Sequence, residues 1–221
     1  MKWSAKAFTL AELLIALAII GVLSVITIPA MISNYRAHVA SARLKKFYSN
    51  MRTAIQISEI KNGRVANWDM NPNGENTADD GDRFFMTYLA PYLKYSSKKK
   101  ILIGGPKGRY EYILPDGSSF QVFQGACIDF RYDVNGKDKP NEYGKDKFCF
   151  LLCNNERYNH WYLGNSRQYF GARCDGITTR AQAIKECSKK SWKYAEEGNV
   201  KCAKLLEMDG WEFKKDYPYK P

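Results

Sequence analysis

Apolar and polar positions divide the chain into unlike stretches. From Phe8 to Ile28 almost every residue is apolar, and Glu12 is the one charge. Beyond it, Ile32, Tyr35, Val39, Ala42, Phe47, Met51, Ala54 and Ile55 recur at helical spacing, one stripe of an amphipathic helix. Arg36, Arg43, Lys45, Lys46 and Arg52 fall on its other faces. Asn62-Gly63 is a C-terminal stop. The pattern predicts one helix from Phe8 to Lys61, about 80 Å long at 1.5 Å per residue. Pro29 removes one backbone hydrogen bond inside it and kinks or loosens it there.

Residues 64–82 are rich in Asn, Asp and Gly and read as a connecting loop. Asp82 is placed to cap a short helix from Arg83 to Leu93, with an aromatic face of Phe84, Phe85, Tyr88 and Tyr92 that reads as core. Four strand-like runs follow: Arg109 to Leu114, Ser118 to Phe123, Ala126 to Val134 and Lys147 to Cys153. Pro115-Asp116-Gly117 supplies hairpin chemistry between the first two. Asn154 to Asp175 is irregular. Thr179 caps a helix running to about Lys189, and Val200 to Met208 forms another, closed by Asp209-Gly210. The class is α+β: a long helix laid on one face of a small antiparallel sheet.

The Phe8–Ile28 run is long enough to cross a bilayer, which takes about 20 apolar residues. A carboxylate within such a span costs about 2.5–3.5 kcal/mol on insertion scales, less near an end, so Glu12 calls for a specific partner. A cleaved secretory signal has a shorter core and a small-residue site; Ile28-Pro29-Ala30-Met31 matches that site poorly. A plain anchor accounts for the length but not for Glu12. Lys2 and Lys6 place the short tail on the cytoplasmic side, although Arg36, Arg43, Lys45 and Lys46 weigh against that count.

All six cysteines, Cys127, Cys149, Cys153, Cys174, Cys187 and Cys202, lie beyond the span. An even number in an exported region predicts up to three disulfides, with fifteen pairings open. A local pairing of Cys187 with Cys202 closes a loop over the lysine-rich turn between them. A zinc site is disfavoured, because Cys149-x-x-x-Cys153 has no matching second pair. The net charge is +11. Such a basic exported domain could meet DNA or anionic lipid. The runs Lys98-Lys99-Lys100 and Lys189-Lys190 read instead as solvated turns, and no nucleic-acid motif accompanies them. No G-x-S-x-G, H-E-x-x-H or P-loop pattern occurs, and Gly104-Gly105-Pro106-Lys107-Gly108 reads as a turn, so the chain is not expected to be an enzyme.

One acidic loop is a candidate metal site. Asp129, Asp133, Asn135, Asp138 and Asp146 offer oxygens of the kind Ca²⁺ takes. Lys137 and Gly144 stand where an EF-hand needs ligands. The competing reading is a turn in which Asp and Asn bond their own backbone.

Lys6-Ala7-Phe8-Thr9-Leu10-Ala11-Glu12-Leu13-Leu14 resembles the class III leader of type IV pilins and type II secretion pseudopilins. Ala7 stands where that family usually has Gly. The resemblance implies cutting between Ala7 and Phe8 by a membrane prepilin peptidase, and N-methylation of Phe8. Residues 1–7 are then a removed leader and 8–28 a membrane or filament-core helix. Residues 29–62 are its amphipathic continuation, and 63–221 a pilin-like domain with a cysteine-rich, disulfide-stabilised end. Glu12 matches the family's acidic residue, one turn from the new amine of Phe8 and able to pair with it, best between neighbouring chains. Gly21 and Pro29 match its helix-loosening positions. Some pseudopilins also hold Ca²⁺ in a loop between strands, which bears on the acidic loop.

The segments Asp133-Val134-Asn135-Gly136, Pro140-Asn141 and Asp209-Gly210-Trp211 also look like those of pilin-like proteins, and Trp211 and Tyr217 are placed to pin the tail to the sheet. The function implied is a structural subunit, a minor one, of a type IV pilus or type II secretion pseudopilus. Its partners are other pilin subunits, the peptidase and the inner-membrane assembly machinery. It starts as a single-pass inner-membrane precursor with an exported domain, then joins a periplasmic pseudopilus or an extracellular pilus. The alternatives are a DNA-uptake pilin that binds DNA through its basic domain, and an anchored periplasmic protein that does not polymerise.

Overall fold

The computed structural model describes residues 9–70, 77–101, 108–165, 167–189 and 199–219. Its backbone element is α1, Leu10–Asn62, an unbroken helix with Pro29 inside it. From Ala40 onward α1 buries Ala40, Leu44, Phe47, Met51, Ala54, Ile55 and Ser58. These positions recur every three or four residues and form one stripe. It is shifted from the expected one: Tyr35 is 70% exposed and Ala42 points to solvent.

The stripe lies on a six-stranded antiparallel meander: β1 Ser97–Ile101, β2 Arg109–Ile113, β3 Ser119–Gln124, β4 Ile128–Asp133, β5 Lys147–Leu152 and β6 Phe170–Ala172, hydrogen-bonded in chain order. Alternation along each strand turns Tyr112, Phe120, Phe130, Tyr132, Phe148, Phe150 and Phe170 inward. Phe47 is the centre of this contact, stacked on Tyr132 at 4.2 Å and edge-on to Phe150 at 5.2 Å. The Arg43 guanidinium fastens α1 to two turns at once, donating to the carbonyls of Val134 and Asp116.

Four strands were expected, and the described residues form six. β1 holds the lysine run read as a turn. Its side chains alternate, so Lys98 and Lys100 reach Asp82 and Asp79 while Lys99 reaches Glu111, each at 2.7–2.9 Å. Charged residues on an edge strand also discourage pairing with foreign strands. β6 is only three residues long and lies in the stretch read as irregular.

The first short helix starts earlier than expected. α2 runs Ala78–Tyr88, capped by a reciprocal Thr77–Asp80 box, and a 3-10 turn over Ala90–Tyr92 follows. Asp82 is thereby freed to accept from Lys98 and the Tyr112 hydroxyl.

The C-terminal region adds α3, Arg180–Cys187, and α4, Cys202–Met208. Cys187 is bonded to Cys202, and Cys127 to Cys153. The full three-disulfide pattern is not formed, since Cys149 and Cys174 are free and buried. Arg180 bridges Asp209 and Asp216. Trp211 packs on Tyr48 and Phe150, and the Tyr217 hydroxyl donates to the Gly144 carbonyl at 2.6 Å, so both hold the tail against the domain.

Candidate functional site

The first turn of α1 is held by a capping box. Thr9, with extended backbone, accepts from the Glu12 amide through Oγ1 at 3.3 Å. Glu12 Oε2 in return accepts from the Thr9 amide and hydroxyl, each at 2.8 Å. Two of the unpaired donors of a helix start are thereby satisfied, and a carboxylate sits at the positive end of the helix dipole. Thr9-Leu10-Ala11-Glu12 is itself a T-x-x-E signal that an emphasis on the Phe8 amine overlooks. Ala7 and Phe8 lie outside the described residues, and so does most of the glycine-rich stretch 104–108.

Beyond the cap, α1 is bare. Leu13, Leu14, Ile15, Leu17, Ile19, Ile20, Val22, Leu23, Val25, Ile26 and Ile28 are all exposed. The segment has a mean hydropathy of 2.7, and none of the described residues covers it. Each such side chain forgoes about 1.5–3 kcal/mol of burial while it faces water. A Cβ added at Gly21 would meet nothing within 4 Å. Thr27 turns its hydroxyl back to the Leu23 carbonyl at 2.9 Å, so its polarity is met within the helix.

The acidic loop does not assemble as a metal site. Asp129 and Asp133 lie four residues apart on β4, roughly 13 Å at 3.3 Å per residue. Asp129 faces Arg173 at 3.8 Å. Burial pushes its carboxyl up to about 6, against the pull of Arg173, Arg131 and Arg109. Asp133 is pushed up to about 7, first by burial and then by the neighbouring Asp146. Its Oδ1 accepts from the amides of Asn135 and Gly136. Asp146 accepts from the amides of Asn141 and Glu142 at 2.8 and 2.7 Å, and from Asn135 Nδ2. Asp138 points to solvent.

Asp133 and Asp146 are spent on the backbone of their own turn, and Asp129 faces an arginine instead. Asn135 Oδ1 is buried without a hydrogen-bond partner, a single oxygen where Ca²⁺ takes six to eight. Among the described residues no group of three or more His, Cys, Asp or Glu is placed to hold a metal ion.

A model described as a family of unknown function, DUF6613, matches residues 30–221. The chain belongs to that family. A second model, the prokaryotic N-terminal methylation motif, matches residues 4–28, which therefore carry the leader of type IV prepilins. The two matches flank Pro29, so the DUF6613 part takes in the last residues of the bare stretch and everything after them. Comparison with curated proteins and with solved structures yields no match.

Both disulfides and both free thiols belong to the DUF6613 part. Burial raises the Cys149 thiol to about 12, with Asp129 adding to the effect, which leaves it a poor nucleophile. Cys174 is also raised, chiefly by burial.

Proposed function

We propose that the chain is a pilin or pseudopilin: a membrane-held precursor cut between Ala7 and Phe8, methylated on Phe8, and built into a filament through α1. The observation that carries this reading is the uncovered apolar half of α1, directly behind a prepilin leader. Lipid covers that surface before assembly, and the same half of neighbouring subunits covers it afterwards. Glu12 stands at the start of the helix, where its carboxylate can meet the new Phe8 amine, its own or a neighbour's. A buried pair of this kind fixes register between packed helices. The role is mechanical, and the energy for assembly comes from the inner-membrane machinery.

A DNA-binding role draws no support from the lysine run, because Lys98, Lys99 and Lys100 are each committed to an acid of their own domain.

The test is the mass of the mature amino terminus, isolated from a host that carries a prepilin peptidase. A methylated Phe8 terminus is expected. A chain still starting at Met1 overturns the proposal.

A further inference from the structure

The end of the domain nearest the bare helix carries a small basic surface. Asp138, Lys139 and Pro140 share a cleft of about 310 Å³ with Tyr35, Arg36 and Ala40 of α1, and Lys137 lines the adjoining cleft with Arg43 and Asp116. The segment from Gly136 to Gly144 is braced from within. Asn135 Nδ2 donates to the Lys139 carbonyl at 3.4 Å, and Asn141 Nδ2 to the Asp138 carbonyl at 3.0 Å. The side chains of Lys137, Asp138 and Lys139 are therefore left outside, exposed.

The charges at this end do not cancel. Glu142 is paired with Lys145 at 2.6 Å, and Asp146 is buried under backbone amides. Arg43 is occupied by two carbonyls. Among the described residues Arg36, Lys137 and Lys139 have no ion pair, and Asp138 is the only exposed acid beside them. Arg36 lies eight residues past Ile28, about 12 Å along the helix. That is just outside a headgroup layer about 5–8 Å deep, within reach of a long basic side chain. Exposed Tyr35 sits beside it, the type of residue that anchors at such a boundary.

We propose that Arg36, Lys137 and Lys139 form a basic collar that binds anionic phospholipid headgroups of the membrane that α1 spans. The proposal rests on α1 being a span. The collar faces the membrane because Lys139 and its neighbours line a cleft with Tyr35 and Arg36, among the first residues of α1 beyond the lipid. It would hold the domain down in a defined orientation until the subunit is drawn into a filament.

The full chain would be reconstituted in vesicles of phosphatidylcholine alone or with phosphatidylglycerol. A membrane-impermeant lysine acylating reagent, read by mass spectrometry residue by residue, then reports on the collar. Lys137 and Lys139 should be modified several-fold more slowly in the anionic vesicles, and the protection should vanish near 1 M salt, where the screening length is about 3 Å. Lys94, which lies beside Asn50 and Thr53, about 25 Å further up α1, should not change. Arg36→Gln should weaken the protection of both lysines. Equal rates in the two vesicle types, with the chain floating with both, would overturn the collar and leave the span standing. Failure to float with either would remove the span and the collar together.

Discussion

The two halves of α1 are equally helical, yet they obey opposite rules. Residues 10–32 are apolar on every side, and their described side chains bury almost nothing. Residues 40–58 carry one apolar stripe and bury it completely against the sheet. The difference lies in the polar positions. Lys45, Lys46 and Arg52 point the second half one way only, so the domain can dock on its remaining face. The first half has no such bias, and only a surrounding as apolar as itself, lipid or a bundle of like helices, can satisfy it. One helix thus joins a part stabilised by its own chain to a part that needs other molecules.

Paired substitutions would break this comparison most sharply. Phe47→Ala removes the ring stacked on Tyr132 and should cost the domain about 3–5 kcal/mol in thermal or denaturant unfolding, without releasing the chain from membranes. Ile19→Lys, at the middle of the bare half, should do the reverse. It adds about 2.5–3.5 kcal/mol to insertion, so flotation with vesicles should fall while the unfolding midpoint of the domain stays put. If either variant moved both readouts equally, the two halves would not be separable in this way.

The long helix and the β2–β3 hairpin are legible in the sequence because their signals are local: apolar spacing in one, Pro115-Asp116-Gly117 in the other. β1 is not, because a Ser-Lys-Lys-Lys-Ile run has little strand character. What makes it a strand is Asp79, Asp82 and Glu111, acids distant in sequence that neutralise its alternating lysines. The start of α2 was legible in Thr77-x-x-Asp80 but is easily passed over for Asp82. The partner of Cys153 could not be read at all. It follows from the β4–β5 register, in which Ile128 faces Leu152 and so brings Cys127 beside Cys153. Of the acidic loop, the residue types were legible. Their separation along β4, and their use by backbone amides, required the fold.

Within the domain half, two smaller effects sharpen the picture. Replacing Cys187 and Cys202 together by Ser should cost about 3 kcal/mol, the loop-closure value for a 15-residue link, and should leave membrane binding unchanged. The pH dependence is smaller still. Asp133 titrates near 7 in the folded chain but near 4 when unfolded, so folding binds a proton between those values. Stability from this group is therefore full below about pH 4 and is lost as the pH rises through about 7. The unfolding midpoint should be higher at pH 5 than at pH 7.5. Asp133→Asn should flatten that slope, and an unchanged slope would assign it to another group.

The smallest expected effect on stability comes from the first turn of the bare half, where it separates two roles for Glu12. Thr9→Ala removes the capping hydroxyl and should cost about 1 kcal/mol of local helix stability. Glu12→Val removes the other member of the same box, and the charge with it. If Glu12 only caps its own helix, the two variants should enter filaments to the same slightly reduced extent. If its carboxylate meets the Phe8 amine of a neighbouring subunit, Thr9→Ala should assemble nearly as the parent chain does, whereas Glu12→Val should stay in the membrane, correctly inserted and unassembled. Filament incorporation measured beside membrane retention tells the two apart, because a lost cap weakens one turn of helix while a lost charge leaves a buried amine without its counter-ion.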